Sequence, residues 1–281
     1  MSFAIALSGG GERVVAWEVG VLAGLAGGGL DARDAEVVLG TSAGALVAAR
    51  VAAGIDPRDD AGRVRATRNG AGGAGAFAAL AAAWLEAGTT TAERRRAFGR
   101  LALERSPGGD ELAHVAGRLP DDVWPVSLRV AAVDAFSGER MVFDAGSGVP
   151  LARAVAASRA IPVLRAPVDI GGRPYIDGAL GSASNADALA GVAASLIVIV
   201  TPVPSEVADP GPERMWLEAL RDEVAALELA GHGVLVVHAS PEDRAAMGPD
   251  PMSAATAHLA VAAGCDCGRA VAAQIRSRRA A

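Results

Sequence analysis

The sequence predicts an α/β fold: a three-layer α/β/α sandwich with a mostly parallel central sheet and a helical insertion. Three observations carry this reading. Apolar runs of strand length at residues 3–7, 36–39 and 196–200 are separated by longer segments with helical periodicity. The first two runs are joined by a helical segment, which makes a βαβ unit with parallel strands. Both of these strands lead into glycine-containing loops, Ser8-Gly9-Gly10-Gly11-Glu12-Arg13 and Gly40-Thr41-Ser42-Ala43-Gly44. An open α/β sheet places such loops beside each other at the carboxyl ends of its strands.

Composition bounds the function. The chain has 281 residues, 51% of them hydrophobic and 21% charged, which allows a large core and argues against disorder. Its net charge of −6 argues against a nucleic-acid partner, which usually meets a basic surface. All 26 basic residues are arginine, so a phosphate loop that needs Gly-Lys-Ser/Thr has no lysine to use. Two cysteines, Cys265 and Cys267, have no Cys/His cluster near them in sequence, so a zinc site is not expected. The cysteine usage, the absence of a signal-peptide pattern and the lack of an apolar stretch of about 18 residues give the expectation of a cytoplasmic protein.

In chain order, residues 3–7 form the first strand. A helix follows from about residue 14 to 26, with Val14, Trp17, Val21 and Leu25 at helical spacing, and Gly27-Gly28-Gly29 stops it. The second strand at 36–39 enters the Gly-x-Ser-x-Gly stretch, and the alanine-rich segment 45–53 continues as a helix. Residues 56–125 read as a helical insertion into one domain spanning 1–281. Within the insertion a glycine-rich segment precedes a helix at 76–87, then come helices at 91–104 and 110–118. Phe77, Leu80, Trp84 and Leu85 offer apolar surface there, either as a lid over a substrate site or as ordinary packing on the sheet.

Beyond the insertion, strands at 125–133 and 140–143 form a hairpin, and 151–157 is a helix. Residues 168–170 and 173–176 flank Gly171-Gly172 as a second hairpin, whose last arm ends in Asp177-Gly178-Ala179. The β-branched run 196–200 reads as a central strand. Then come a helix at 213–230, a strand at 234–238 and a terminal helix at 254–276, interrupted near Gly264.

Gly40 to Gly44 has the form of a nucleophile elbow. Ser42 sits on a sharp strand-to-helix turn, glycines at 40 and 44 let strand and helix approach, and the helix N-terminus lies beside the hydroxyl. The alternative is a glycine-softened loop with Ser42 as a helix N-cap. The Ser8 to Arg13 loop gathers backbone N–H groups at a helix N-terminus, an anion-binding arrangement. It suits either an oxyanion hole or a phosphate loop, but the dinucleotide fingerprint would place a glycine where Val14 stands. His238 ends a predicted strand, where a triad histidine would be found, whereas His114, His232 and His258 lie on helices or their ends.

Taken together, the early glycine loop, Gly40 to Gly44, Ala157-Ser158-Arg159-Ala160-Ile161-Pro162 and Pro174-Tyr175-Ile176-Asp177-Gly178-Ala179-Leu180 resemble the patatin-like phospholipase family. The resemblance covers roughly residues 3–190 and implies a Ser–Asp dyad without histidine. Ser42 matches the nucleophile and Asp177 the base. Gly9, Gly10 and Gly11, with Arg13, match the oxyanion hole, and Gly40, Gly44 and Gly178 shape the turns. Val14 replaces the family's last loop glycine. The implied activity is hydrolysis of a carboxylic ester in a lipid, with an acyl-enzyme intermediate and no metal or organic cofactor. The expected partner is a lipid or acyl-ester substrate, met in transient contact with a membrane surface, and no nucleic acid. The alternative is a protein on the same fold that binds a lipid or anion without chemistry.

Overall fold

The computed structural model describes residues 2–65, 83, 90–105, 111–208 and 211–280. The glycine-rich segment 69–75, the turn at 106–109 and, apart from Ala83, the helix expected at 76–87 lie outside the described residues, and with them Phe77, Leu80, Trp84 and Leu85.

Among the described residues, eight strands form one sheet. They are β1 (Phe3–Leu7), β2 (Val38–Thr41), β3 (Leu128–Asp134), β4 (Arg140–Phe143), β5 (Val168–Ile170), β6 (Arg173–Asp177), β7 (Leu196–Thr201) and β8 (Gly233–His238). β3, β2, β1, β7 and β8 run parallel, and β4, β5 and β6 are antiparallel additions. The helices bounded within the described residues are α1 (Glu12–Gly27), α2 (Ala43–Ala52), α3 (Pro57–Arg65), α4 (Thr91–Arg105), α5 (Glu111–Ala116), α6 (Leu151–Ser158), α7 (Pro212–Leu229), α8 (Pro241–Met247) and α9 (Ala257–Ala280).

The strand periodicity of two sorts the layers. Phe3, Ile5 and Leu7 of β1 enter a core shared with α1, α2, α6 and α9. Ala4 and Ala6 enter a second core with Leu220 and Leu227 of α7 on the other face. On that second face α4 packs Phe98 and Ala102 against Val133 and Ile176. This is a three-layer α/β/α sandwich around a mostly parallel sheet. No helix among the described residues is long and apolar enough to cross a membrane.

Some boundaries differ from those the sequence suggests. The second strand starts at Val38 rather than residue 36 and carries Gly40 and Thr41 into the ladder, where they pair with Val130 and Ala131 of β3. The strand expected from 125 starts at Leu128, because the Leu128 amide turns back to the Pro125 carbonyl. α3 begins directly at Pro57, since proline is at home in a first helical turn. The terminal helix is not interrupted at Gly264. α9 runs through it, and Gly264 and Gly268 instead meet α1 at backbone distance. A Cβ on Gly264 would lie 2.2 Å from the Trp17 carbonyl oxygen, and one on Gly24 of α1 would lie 2.4 Å from that of Cys265.

One feature of β3 positions the site. A strand has two hydrogen-bonding edges. Val130 and Ala131 pair with β2 and β4 at once, and Ala132 and Val133 pair with β4 and β6 at once. β4 therefore occupies one edge, and β2 and β6 share the other, end to end. β2 arrives parallel and ends with Thr41 opposite Ala131; β6 arrives antiparallel and ends with Asp177 opposite Ala132. Two chain segments 135 positions apart thus finish on neighbouring rungs of one strand.

Candidate active site

Ser42 is the residue on the turn from β2 to α2. Its φ of 53° and ψ of −113° put a non-glycine residue in the left-handed half of backbone space, a conformation that typically costs about 1–3 kcal/mol. The surroundings enforce it. A Cβ on Gly44 would lie 2.3 Å from the Leu7 carbonyl oxygen, and one on Gly40 would lie 2.5 Å from the Ala45 Cα, so neither position admits a larger residue without moving backbone. The Ser42 amide donates to Ser158 Oγ at 2.8 Å, and that hydroxyl donates to the Ala131 carbonyl at 2.6 Å. Ser158, at the end of α6, thereby ties the elbow to β3.

The Ser42 hydroxyl donates to Asp177 Oδ2 at 2.6 Å, and both residues are buried. The other carboxylate oxygen accepts the Ala179 amide at 2.8 Å, and the Asp177 amide is held by the Ala160 carbonyl. A Cβ on Gly178 would strike the Ala131 carbonyl oxygen, so glycine lets the Asp177 turn press against β3. Burial raises the Asp177 pKa to about 7, against the lowering effects of the Ser42 hydroxyl, the Ala179 amide and the Arg159 charge. A carboxylate poised near neutrality suits proton exchange with a hydroxyl far better than one near 4.

The glycine loop lies against this pair. A Cβ on Gly9 would come within 2.7 Å of Ala179 Cβ and 3.1 Å of Ser42 Cβ. Gly9 gives its amide to the Ala183 carbonyl. Gly10 and Gly11 line the cavity over Ser42 and Asp177, and among the described residues their amides have no hydrogen-bond acceptor. Gly11 has φ of 87°, and its missing Cβ leaves room for the Pro251 carbonyl. Arg13 lines the same cavity. Its amide donates to the Pro251 carbonyl at 3.2 Å and its Nη1 to the Gly248 carbonyl at 2.6 Å. Val14 is buried in the first turn of α1, where it packs beneath Gly10.

Two supports of this site were not read from the sequence. Glu18, fully buried, accepts the Ser8 amide at 2.7 Å, just where β1 passes into the glycine loop. Burial holds its pKa well above the usual carboxylate range, against the lowering effect of the Ser8 amide. The signal was present: an acid stands on the apolar face marked by Val14, Trp17 and Val21. The second is the wall of the cavity, about 180 Å³ in volume, for which Val203, Trp216 and Met247 supply apolar surface. Trp216 also donates its indole N–H to the Ala179 carbonyl at 2.7 Å. No periodicity marks these residues as site-forming.

None of the four histidines bonds to Ser42 or Asp177. His238 Nδ1 meets the Val203 carbonyl, both ring nitrogens of His232 face carbonyls of residues 190 and 194, and His114 lies beside Arg118 and Glu12.

A strained serine between strand and helix, bonded to a buried carboxylate beside open loop amides, defines the class: an α/β protein with a nucleophile-elbow site. The family model for patatin-like phospholipases matches residues 5–190, and the chain belongs to that family. No match is found among curated proteins. Among solved structures, VipD from Legionella pneumophila is similar at 14% identity with a TM-score of 0.47, over 97% of this chain and 67% of that one. The type III effector protein ExoU is similar at 16% identity with a TM-score of 0.42, over 97% of this chain and 53% of its own. The chain thus spans about two thirds of the first and about half of the second.

Proposed function

We propose that this protein is a serine-dependent lipid acyl hydrolase, of phospholipase A or esterase type, working through Ser42 and Asp177. The observation that carries the reading is the 2.6 Å hydrogen bond from the Ser42 hydroxyl to Asp177 beneath the unpartnered amides of Gly10 and Gly11. Ser42 Oγ attacks the ester carbonyl as Asp177 takes its proton. The carbonyl oxygen becomes an oxyanion that Gly10 and Gly11 stabilise, with roughly 3–4 kcal/mol lost when one such donor is removed. The carbon–oxygen bond to the alcohol breaks, the alcohol leaves with the proton from Asp177, and an acyl-enzyme remains. Water then attacks as Asp177 takes its proton, and Ser42 recovers that proton when the fatty acid is released. In this scheme Arg13 and Gly9 shape the loop, Ser158 and Glu18 position its two sides, and the apolar wall receives the acyl chain. Substrate is reached in transient contact with a membrane surface.

The test is labelling by a fluorophosphonate probe together with turnover of acyl esters of graded chain length. Wild type labels and turns over. Ser42→Ala does neither, and Asp177→Asn loses at least 10²-fold in kcat. The two losses are non-additive, because the residues act as one unit. Near-wild-type turnover in either variant would sink the dyad, and an unlabelled wild type that still binds lipid would point to a non-catalytic binder.

A further inference from the structure

Apart from the catalytic cavity, a second cavity of about 540 Å³ opens between the start of α1, α2, α3 and α5, and its chemistry is opposite. The catalytic cavity is mainly apolar. The second is lined by Arg50, Arg63, Arg118 and Arg165, together with Glu12, Asp60 and His114. The acids are already engaged. Asp60 pairs with Arg50, Glu12 with Arg118 and the buried Arg159, and Glu111 behind them with Arg159 and Arg165. Five guanidinia therefore face three carboxylates, an excess of two positive charges. Arg63 is exposed and has no acid or acceptor among the described residues. Glu12 stays ionised: burial would raise its pKa, but Arg159 and Arg118 outweigh it and bring it down to about 2. His114 responds to the same environment, its pKa lowered first by burial and next by Arg118.

We infer that this cavity is a binding site for a phosphate monoester. Such a group carries about −1.5 to −2 charge at pH 7 and three acceptor oxygens, which matches the excess charge. Guanidinium forks suit those oxygens, since they bond phosphate in pairs. Arg63 supplies a charge with no internal partner, and Arg118 presents its remaining N–H groups beside Glu12. An acyl chain does not fit here, because so many charged groups would lose water against it. A phosphate-bearing lipid headgroup and a soluble phosphate ester share this chemistry.

The experiment is isothermal titration of the full chain with inorganic phosphate and, separately, glycerol 3-phosphate, in chloride buffer of low ionic strength. It is paired with flotation on phosphatidylcholine vesicles with and without phosphatidic acid. One saturable site is expected. Arg63→Ala weakens it by about tenfold or more, as loss of a charged hydrogen bond does, while unfolding at an unchanged temperature. Arg118→Gln weakens it likewise, and Arg244→Gln, at the catalytic cavity, leaves it within about twofold. Saturable binding of the soluble esters without vesicle binding assigns the site to a soluble ligand. Flotation that requires phosphatidic acid and is lost in Arg63→Ala assigns it to a lipid headgroup. The inference is overturned by three results: no binding of either kind, equal affinity in Arg63→Ala and wild type, or loss of binding in Arg244→Gln. Ester turnover is not read here, so the outcome is independent of the dyad.

Discussion

Asp177 combines two demands that usually conflict. It is buried with a pKa of about 7, yet in the proposed role of base it must be ionised. The consequence for activity has a sign. Below pH 7 the ionised fraction, and with it kcat/KM for a soluble ester, falls about tenfold per unit; above 7 it levels. The consequence for stability runs the other way. Between about pH 4 and 7 the folded chain keeps a proton that the unfolded chain has released, so stability declines across that window and is flat above it. Asp177→Asn removes the buried charge. It is expected to be inactive yet more stable than wild type at pH 8, by on the order of a few kcal/mol, with no decline attributable to this site. Thermal unfolding of both proteins from pH 4 to 9 reads this directly, and parallel curves would refute it. Ser158 makes a different expectation. Ser158→Ala leaves the Ser42 amide and the Ala131 carbonyl without their shared hydroxyl, which costs roughly 1–3 kcal/mol of stability. Because the hydroxyl orients the proposed nucleophile without lining the cavity, kcat is expected to fall about 10- to 100-fold with KM within about twofold. A change confined to KM would mean that Ser158 acts on substrate binding.

At the scale of elements, α1 and α9 pack at backbone distance, and neither carries Ser42 or Asp177. α1 begins directly after the glycine loop, and Gly20 and Gly24 on it meet Gly264 and Gly268 on α9 with no space for a side chain. The sequence shows these glycines, but the one it assigns a task, Gly264, it reads as a helix interruption. A glycine inside a helical pattern lowers helix propensity, so Gly264 reads as a break. What it provides is a contact at backbone distance, and that requires knowing the partner helix. Gly24→Val should therefore force α9 away, lower the midpoint of unfolding by about 5 °C or more, and slow probe labelling at Ser42. If the midpoint falls while labelling of the folded fraction stays at the wild-type rate, the seam is not coupled to the loop. The elbow itself was legible, because its parts are contiguous: strand, turn, helix and two glycines at fixed offsets. The glycine loop was legible for the same reason.

For the whole molecule, what could not be read is how distant pieces close around those motifs. Asp177 was singled out through the family resemblance of residues 174–180, but its place beside Ser42 depends on β2 and β6 sharing one edge of β3. Trp216, Met247 and the carbonyls of Gly248 and Pro251 complete the cavity and clamp the loop from beyond residue 190, where the family match ends. No local pattern marks them, since each contributes through shape rather than through a motif. The helix expected at 76–87, readable as a lid or as packing on the sheet, lies outside the described residues apart from Ala83. A chain lacking residues 257–281 should show this dependence at full scale: no cooperative unfolding and no labelling of Ser42. Wild-type labelling in that chain would show that the first part of the molecule assembles its own site.

The distance along the chain between the two helices also sets a clock. Gly264 is synthesised about 240 residues after Gly20, and at roughly 5–20 residues per second that is a delay of about 12–50 s. Throughout that interval α1 presents a row of bare glycine backbone with nothing seated on it, and Arg13 lacks the two carbonyls that hold it. A nascent chain thus carries its serine early and its finished loop late.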